Sequence, residues 1–269
     1  MKSETLVITS YSSLHILDMV EPTYVFSLLV LTLQLSALGV NSANITLVNQ
    51  CSYTVWPVLQ SSEDTTSLST TGFILKTGKS FTVTTPATWN GRIWGRTLCT
   101  TDTATGKFSC VTADCGSGKV ECGGNGCSPP ATMVEIAVGS EGGIDFYDVS
   151  LVDGFNVPVM VVPMNRNCGS AGCPEDLNLK CPTELSMKEK GQMVACNGAC
   201  AMTFKDIFCC TGDYSTQNTC HPTVYSQIFK IECPKTYSYP YDDFKTSQFN
   251  CSSAHYTVVF CPASNNASV

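Results

Sequence analysis

Short runs of alternating polar and apolar residues recur along most of the chain. They are rich in Thr, Val, Ile and Tyr, which favour strands, and Gly-containing turns separate several of them. Many short strands of this kind predict a mainly β protein with an antiparallel β-sandwich. The predicted strands are 44–50, 52–59, 73–75, 80–84, 92–94, 133–138, 144–151, 158–162 and 256–260.

The pattern changes in two places. Between Cys168 and Cys233 the alternation fades and cysteines follow every few residues, with short helices predicted at 184–192 and 225–231. A second stretch, 97–130, is rich in Gly and contains five cysteines. The predicted division is a discontinuous sandwich (43–96, 131–167 and 234–262), a small insert (97–130), a disulfide-rich loop and helix domain (168–233) and a tail (263–269).

The chain begins with an apolar segment that resembles a secretion signal. Residues 24–40 are followed by the small residues Ser42 and Ala43, which predict signal-peptidase cleavage after one of them. The alternative, a transmembrane anchor, is disfavoured by the short length of the segment. Residues 1–42 would then be a leader with an atypical N-terminal extension, or Met19 is the true start. We expect secretion to the extracellular space, the apoplast, rather than to the vacuole.

Composition narrows the class further. The chain has 17 cysteines in 269 residues, which indicates a disulfide framework formed in an oxidising compartment. Only 14% of residues are charged and the formal net charge is -7, so nothing attracts nucleic acid or anionic lipid. The three histidines form no zinc motif, and there is no phosphate-binding or dinucleotide motif. We therefore predict no metal and no cofactor.

One segment is specific enough to indicate a known protein family. Residues 106–122 read Gly-Lys-Phe-Ser-Cys-Val-Thr-Ala-Asp-Cys-Gly-Ser-Gly-Lys-Val-Glu-Cys, which resembles the signature of the thaumatin-like family, the fifth class of plant pathogenesis-related proteins, which includes osmotin. Further segments similar to the family follow its order and extend the resemblance over 44–262; they are 49–57, 91–96, 129–132, 152–158 and 209–212. The resemblance implies a thaumatin-like sandwich with a disulfide-rich domain.

The resemblance also implies a cysteine pairing, which spacing alone could not give. Cys127 is the seventeenth cysteine and departs from the family pattern, so it is predicted to be a free thiol; a disulfide dimer or exchange with Cys115–Cys122 are the alternatives. The implied bonds are Cys51–Cys261, Cys99–Cys110, Cys115–Cys122, Cys168–Cys251, Cys173–Cys233, Cys181–Cys196, Cys200–Cys209 and Cys210–Cys220.

An acidic cleft is the third implication. In this sequence its five residues would be Arg92, Glu135, Asp148, Asp153 and Asp242, with Asp243 as a competitor for the last position. Clustered carboxylates raise one another's pKa, and a protonated carboxyl beside a carboxylate can cleave a glycosidic bond. If hydrolysis occurs, Glu135 is the predicted general acid and Asp148 its carboxylate partner.

Two other features bear on that cleft. Strand-end ion pairs and turn formation would explain the same acidic residues without any function. Sugars bind to aromatic faces, and five aromatic residues lie next to the acidic positions in sequence: Trp94, Phe146, Tyr147, Phe155 and Tyr241.

The resemblance therefore implies a secreted, antifungal plant defence protein that binds β-1,3-glucan or another fungal cell-wall polysaccharide and acts as a monomer. Whether it also has weak endo-β-1,3-glucanase activity, or only binds, stays open. The alternative from another class is a non-catalytic inhibitor or protein-binding module whose acidic cleft engages a cationic partner.

The chain has three N-glycosylation sequons, at Asn44, Asn250 and Asn266. We expect Asn250 to be poorly accessible because a bridged cysteine follows it. Asn44 lies close to the predicted cleavage site, and Asn266 lies in the tail, where a glycan is most plausible.

The cysteine count gives a first test. Denatured, unreduced protein should react with one equivalent of a thiol reagent per chain, because sixteen of the cysteines are predicted to be in bridges. A value of zero would exclude a free thiol at Cys127 and favour a disulfide dimer, which nonreducing electrophoresis would reveal.

Overall fold

A computed structural model describes residues 42–253 and 255–263. They form fourteen strands, four α-helices and several 3-10 turns. The strands are β1 (Asn44–Asn49), β2 (Trp56–Ser61), β3 (Ser80–Thr84), β4 (Trp89–Thr101), β5 (Phe108–Thr112), β6 (Met133–Val138), β7 (Asp145–Ser150), β8 (Gly154–Phe155), β9 (Val159–Pro163), β10 (Ala171–Cys173), β11 (Ser186–Glu189), β12 (Gln192–Asn197), β13 (Gln248–Cys251) and β14 (His255–Phe260). The helices are α1 (Ala199–Thr203), α2 (Asp206–Cys209), α3 (Val224–Glu232) and α4 (Phe244–Ser247).

Two large sheets make the sandwich that the sequence predicted. One has the order β10-β9-β14-β1-β3, and the other has the order β13-β7-β6-β4-β2 with β5 paired to β4. All the pairings are antiparallel except β1 with β14, which are parallel. Apolar side chains from both sheets meet in one core. Fully buried members include Ile45, Val258 and Val161 from the first sheet and Ile93, Val134, Ile136 and Val149 from the second.

A smaller unit is built around a three-stranded sheet, β11-β12-β8, and helix α3. It has its own buried cluster, which includes Phe155, Leu177, Leu185 and Phe229. Among the described residues, no helix is long and apolar enough to cross a membrane.

Two predicted elements are wrong. Residues 73–75 form no strand, because only Leu75 makes an isolated bridge, to Val55. Residues 184–192 do not form the predicted helix; after a 3-10 turn that ends at Leu185 they contain all of β11 and the turn into β12. Lys190 and Gly191, which link the two strands, have φ of 50° and 81°. Two consecutive residues with positive φ make the tight turn that suits the twist of a hairpin, and a helix cannot continue through them. By contrast, the helix predicted at 225–231 lies within α3.

The sixteen bridged cysteines are joined in the pairs that the resemblance implied. The bond between Cys51 and Cys261 closes the longest loop, with a sequence separation of 210 residues. In the chain-entropy model a bond that closes a longer loop restricts the unfolded chain more, so this bond stabilises the fold most. The other bonds are Cys99–Cys110, Cys115–Cys122, Cys168–Cys251, Cys173–Cys233, Cys181–Cys196, Cys200–Cys209 and Cys210–Cys220.

Cys127 forms no disulfide and is partly buried. Burial raises the pKa of its thiol to about 12, and the negative charges of Asp153 and Asp114 add to the effect. The thiol therefore stays protonated at neutral pH and is a poor nucleophile, because the thiolate is the reactive form.

A fully buried arginine fastens the small insert to the sandwich. Arg96 projects from β4 and is 0% exposed. Its guanidinium donates to the carbonyls of Trp56 and Val120, at 3.2 and 2.5 Å, and lies 5.2 Å from the ring centre of Phe108. Val120 and Phe108 both belong to the insert. Arg96 thus joins β2, β4 and the insert through hydrogen bonds made by a buried guanidinium.

Replacing this arginine should destabilise the protein although all eight disulfide bonds remain. Arg96→Met removes the donor to two partly buried carbonyls, so we expect the free energy of unfolding to fall by about 2–4 kcal/mol. Denaturant unfolding of the oxidised protein measures the change. Arg166→Met, at an exposed position, is the matched control and should unfold like the wild type. Equal stability of both variants would contradict the proposed role of Arg96.

Candidate functional site

A row of polar side chains crosses one face of the second sheet. Directly opposed positions on five neighbouring strands hold Gln60, Arg92, Glu135, Asp148 and Gln248, in the spatial order β2, β4, β6, β7 and β13. Successive side chains of a strand point to opposite faces, so the neighbours of this row face the sandwich core. The alternation of each strand therefore brings the polar groups together on the face opposite the core.

A cleft runs along this face on both sides of the row. A cavity of about 550 Å³ lies on one side and a cavity of about 360 Å³ lies on the other. Both are lined by Arg92, Glu135, Asp148 and Gln248, so they are two arms of one cleft. We call the larger the Phe146 arm; it is also lined by Gln60, Ser61, Ser62, Glu63, Asp64, Asn90 and Phe146. We call the smaller the Tyr237 arm; it is also lined by Met133, Ser150, Val152, Asp153, Tyr237 and Pro240.

The register sets the two arms on opposite sides of the row. Along β7, Phe146 lies two residues before Asp148, and Ser150 lies two residues after it. Two residues in a strand span about 6.6 Å. Each arm therefore begins at the acidic centre and extends along the strands in its own direction.

Arg92 and Glu135 form an ion pair at that centre. The Nε atom of Arg92 donates to Oε1 of Glu135 at 2.7 Å. Their side chains are 57% and 38% exposed, so the pair contributes little to stability. The ion pair acts locally, because it holds the carboxylate of Glu135 beside the guanidinium of Arg92 in the floor of the cleft.

Asp148 has a different environment, although it lies directly opposite Glu135 in the sheet. Its side chain is buried, and Oδ1 has no hydrogen-bond partner among the described residues. Burial is the main reason that the pKa of Asp148 is raised to about 8. The negative charge of Glu135 also raises this pKa, and the positive charge of Arg92 lowers it by a smaller amount. At neutral pH the centre thus holds a protonated carboxyl, Asp148, beside the carboxylate of Glu135.

The two remaining acidic residues of the predicted cleft, Asp153 and Asp242, differ in position. Asp153 is exposed and lines the Tyr237 arm. The turn that presents Asp153 needs Gly154, whose φ is 97° and whose position leaves no room for a Cβ atom, 2.4 Å from the carbonyl oxygen of Cys196. Four of the five predicted residues therefore line the cleft.

Asp242, the fifth, lines neither cavity. Its carboxylate accepts from the backbone and hydroxyl of Ser238 at 2.9 Å, and it lies 3.1 Å from Nζ of Lys230. Lys230 projects from α3 and also donates to Ser247 in α4. Asp242 thus ties the smaller unit to the segment that carries Tyr237. Asp243 caps α4 by accepting from the backbone of Lys245.

Of the five aromatic residues near the acidic positions in sequence, only Phe146 lines the cleft, where it is 37% exposed. Trp94, Tyr147 and Phe155 are buried, with the indole of Trp94 donating to the carbonyl of Ala113 and the hydroxyl of Tyr147 to that of Gly169. The hydroxyl of Tyr241 donates to the carbonyl of Ser215. Nearness in sequence to an acidic residue did not predict a place in the cleft, because successive side chains of a strand point to opposite faces.

The structure adds lining residues that no sequence motif marks. They are Gln60, Glu63, Asp64, Tyr237 and Gln248. The strand register would have identified the two glutamines, had the pairing of β2 and β13 been known. Within residues 42–253 and 255–263, no group of three or more His, Cys, Asp or Glu side chains could hold a metal ion.

The raised pKa of Asp148 predicts a specific dependence of stability on pH. An acid whose pKa is higher in the folded state than in the unfolded chain binds more protons when folded, so stability is lost as pH rises from the ordinary value of 3.8 through about 8. Asp148→Asn removes this loss. Since one pKa unit corresponds to about 1.4 kcal/mol, the variant should gain a few kcal/mol over the wild type near pH 9 relative to pH 4.

Denaturant unfolding at both pH values measures the gain. Asp213→Asn, at an exposed position, is the matched control and should show no such gain. A wild type and Asp148→Asn variant that respond to pH alike would contradict the protonated state of Asp148.

Comparison with known proteins agrees with the fold. The thaumatin family matches residues 49–262. Thaumatin-like protein 1 of Prunus persica is 50% identical over 228 residues, which cover 83% of this chain and 92% of that protein. A glucan endo-1,3-beta-glucosidase of Prunus avium is 49% identical over 240 residues, which cover 87% and 97%.

A solved structure shares the fold at low identity. A laminaripentaose-producing beta-1,3-glucanase in complex with laminaritetraose superposes with a TM-score of 0.54 at 11% identity, over 82% of this chain and 99% of that one. The family match, the identity with curated relatives and the sandwich with eight disulfides agree: this chain belongs to the thaumatin family.

Proposed function

We propose that the protein is a secreted, antifungal defence protein that binds β-1,3-glucan of cell walls in the cleft. The single observation that carries the proposal is the position of the polar row, with Glu135 and Asp148 at its centre and one arm of the cleft on each side. A site with room on both sides of its centre suits an internal segment of a polymer better than a chain end. The glucan endo-1,3-beta-glucosidase of Prunus avium supports the choice of polysaccharide.

The lining suits a neutral sugar chain. The amide groups of Asn90 and Gln248 offer donors and acceptors for sugar hydroxyls, and the amide oxygen of Gln60 offers a further acceptor. The half-exposed ring of Phe146 offers an apolar face on which a pyranose ring can lie. Binding through such groups uses few net charges, so it should tolerate salt.

Slow hydrolysis is the second part of the proposal, with roles exchanged relative to those expected from the sequence. Asp148 is the general acid, because its pKa is raised to about 8 and it holds a proton at neutral pH. It gives this proton to the glycosidic oxygen as the bond to the anomeric carbon breaks. The carboxylate of Glu135 stabilises the positive charge that develops on the sugar ring.

Water completes the reaction. Its hydroxyl group adds to the anomeric carbon and its other proton is taken up by Glu135, after which the proton returns to Asp148 through solvent. Because Glu135 is already paired with Arg92 at 2.7 Å, fewer of its lone pairs are free to accept the proton of water. We therefore expect turnover to be slow, with binding the dominant activity.

The roles can be tested by reducing-end release from soluble β-1,3-glucan. Wild-type protein should release ends slowly, with a rate that falls as pH rises through about 8 and Asp148 loses its proton. Asp148→Asn and Glu135→Gln should each lower the rate by roughly two orders of magnitude or more. Both should still retain glucan in a pull-down, and Asp213→Asn should match the wild type.

Three outcomes would be informative. Activity retained in Asp148→Asn would remove Asp148 as the acid. No release by the wild type, with glucan still bound, would leave a binding protein without turnover. Neither release nor binding would contradict the proposed function.

The acidic lining favours one competing function, a module that binds a cationic protein. Glu63, Asp64, Glu135 and Asp153 line the cleft, against the single cation Arg92. A partner held by these charges should dissociate as salt is raised, because the Debye length falls to about 8 Å at physiological ionic strength. Glucan binding that persists in moderate salt, measured by calorimetry, separates the two functions.

A further inference from the structure

A glycosylation sequon lies on the cleft face of the sheet. Residues 250–252 read Asn-Cys-Ser, and Asn250 belongs to β13, which is the edge strand of the second sheet. Within β13, Gln248 and Asn250 are exposed, whereas Phe249 stacks on Tyr147 and Cys251 is buried. The expectation that Asn250 is poorly accessible is therefore wrong, because strand alternation turns its side chain away from the bridged cysteine.

The register gives Asn250 a specific neighbour. It lies directly opposite Phe146, and the two residues continue the row of Asn90 and Ala137. Directly opposed residues of an antiparallel pair have Cα atoms about 4.5–5.5 Å apart. The first sugar of a glycan on Asn250 thus reaches the ring of Phe146, whose exposed face is the apolar surface of that arm.

We propose that Asn250 carries an N-linked glycan that lies over Phe146 and covers the Phe146 arm of the cleft. The sequon and its exposed asparagine support the modification, and the register with Phe146 sets its direction. The Tyr237 arm lies on the other side of the polar row and stays open. If the cleft binds glucan as proposed above, the glycan shortens the segment that it accepts.

Two sequon variants and one control test the modification. Protein secreted from a yeast host is reduced, alkylated and digested, and the peptide that contains Asn250 is analysed by mass spectrometry. We expect it to carry N-acetylglucosamine and hexose, and to lose them in both Asn250→Gln and Ser252→Ala. Asn44→Gln should leave this peptide glycosylated, because Asn44 belongs to the other sheet. An unmodified Asn250 in folded, secreted protein would overturn the proposal.

Hydroxyl-radical footprinting then tests, without any glucan, whether the glycan on Asn250 covers Phe146. Oxidation of Phe146 should be several-fold slower in the glycosylated protein than in either sequon variant. Phe244, which is 58% exposed and lies outside the cleft lining, should react equally in all of them. Equal oxidation of Phe146 with and without the glycan would overturn the cover.

Removing the whole glycan from the folded wild type with a peptide N-glycosidase, which leaves Asp at position 250, provides the comparison if a variant fails to fold. Oxidation of Phe146 should then rise towards the rate expected of the bare ring, and an unchanged rate would also count against the cover. Because neither readout uses glucan, a failure of the proposed function and a failure of this inference are distinguishable.

Discussion

The cleft depends on the register of five antiparallel strands. Gln60, Arg92, Glu135, Asp148 and Gln248 are far apart in sequence, yet each lies directly opposite the next. A slip of one residue in any pairing would turn that strand's polar side chain into the apolar core. Burial of Ile93, Val134 and Val149 therefore fixes the position of the acidic centre, and the disulfide framework keeps the sandwich that buries them.

The same register explains why two opposed carboxyl groups differ. Glu135 is on the outer part of the centre beside Arg92, whereas Asp148 is covered and has no counterion within salt-bridge distance among the described residues. Two adjacent carboxylates in a partly dry site share one proton more easily than they carry two charges. The centre thus combines a proton donor with a carboxylate, and the ion pair limits how strongly that carboxylate can act.

Much of the fold could be predicted from the sequence, because strand alternation and the cysteine-rich motifs are local signals. The predictions that failed depend on contacts between segments that are distant in sequence. The charged segment 184–192 has no apolar alternation to mark it as a hairpin, and only the backbone at Lys190 and Gly191 reveals the turn. The family resemblance predicts Asp242 in the cleft, but Asp242 pairs with Lys230 of another element and does not line the cleft. Gln60, Gln248 and Tyr237 have no distinctive motif, so their place in the cleft required the strand pairing.

The most direct test of the central claim is a crystal structure of the Asp148→Asn variant with a linear β-1,3-linked glucohexaose. The account predicts an oligosaccharide that lies across the polar row, with a glycosidic oxygen next to residue 148 and the anomeric carbon next to Glu135. Sugar units should occupy both arms when the sequon at Asn250 is also removed. An oligosaccharide bound elsewhere on the protein, or a cleft that stays empty while calorimetry detects binding, would contradict the account.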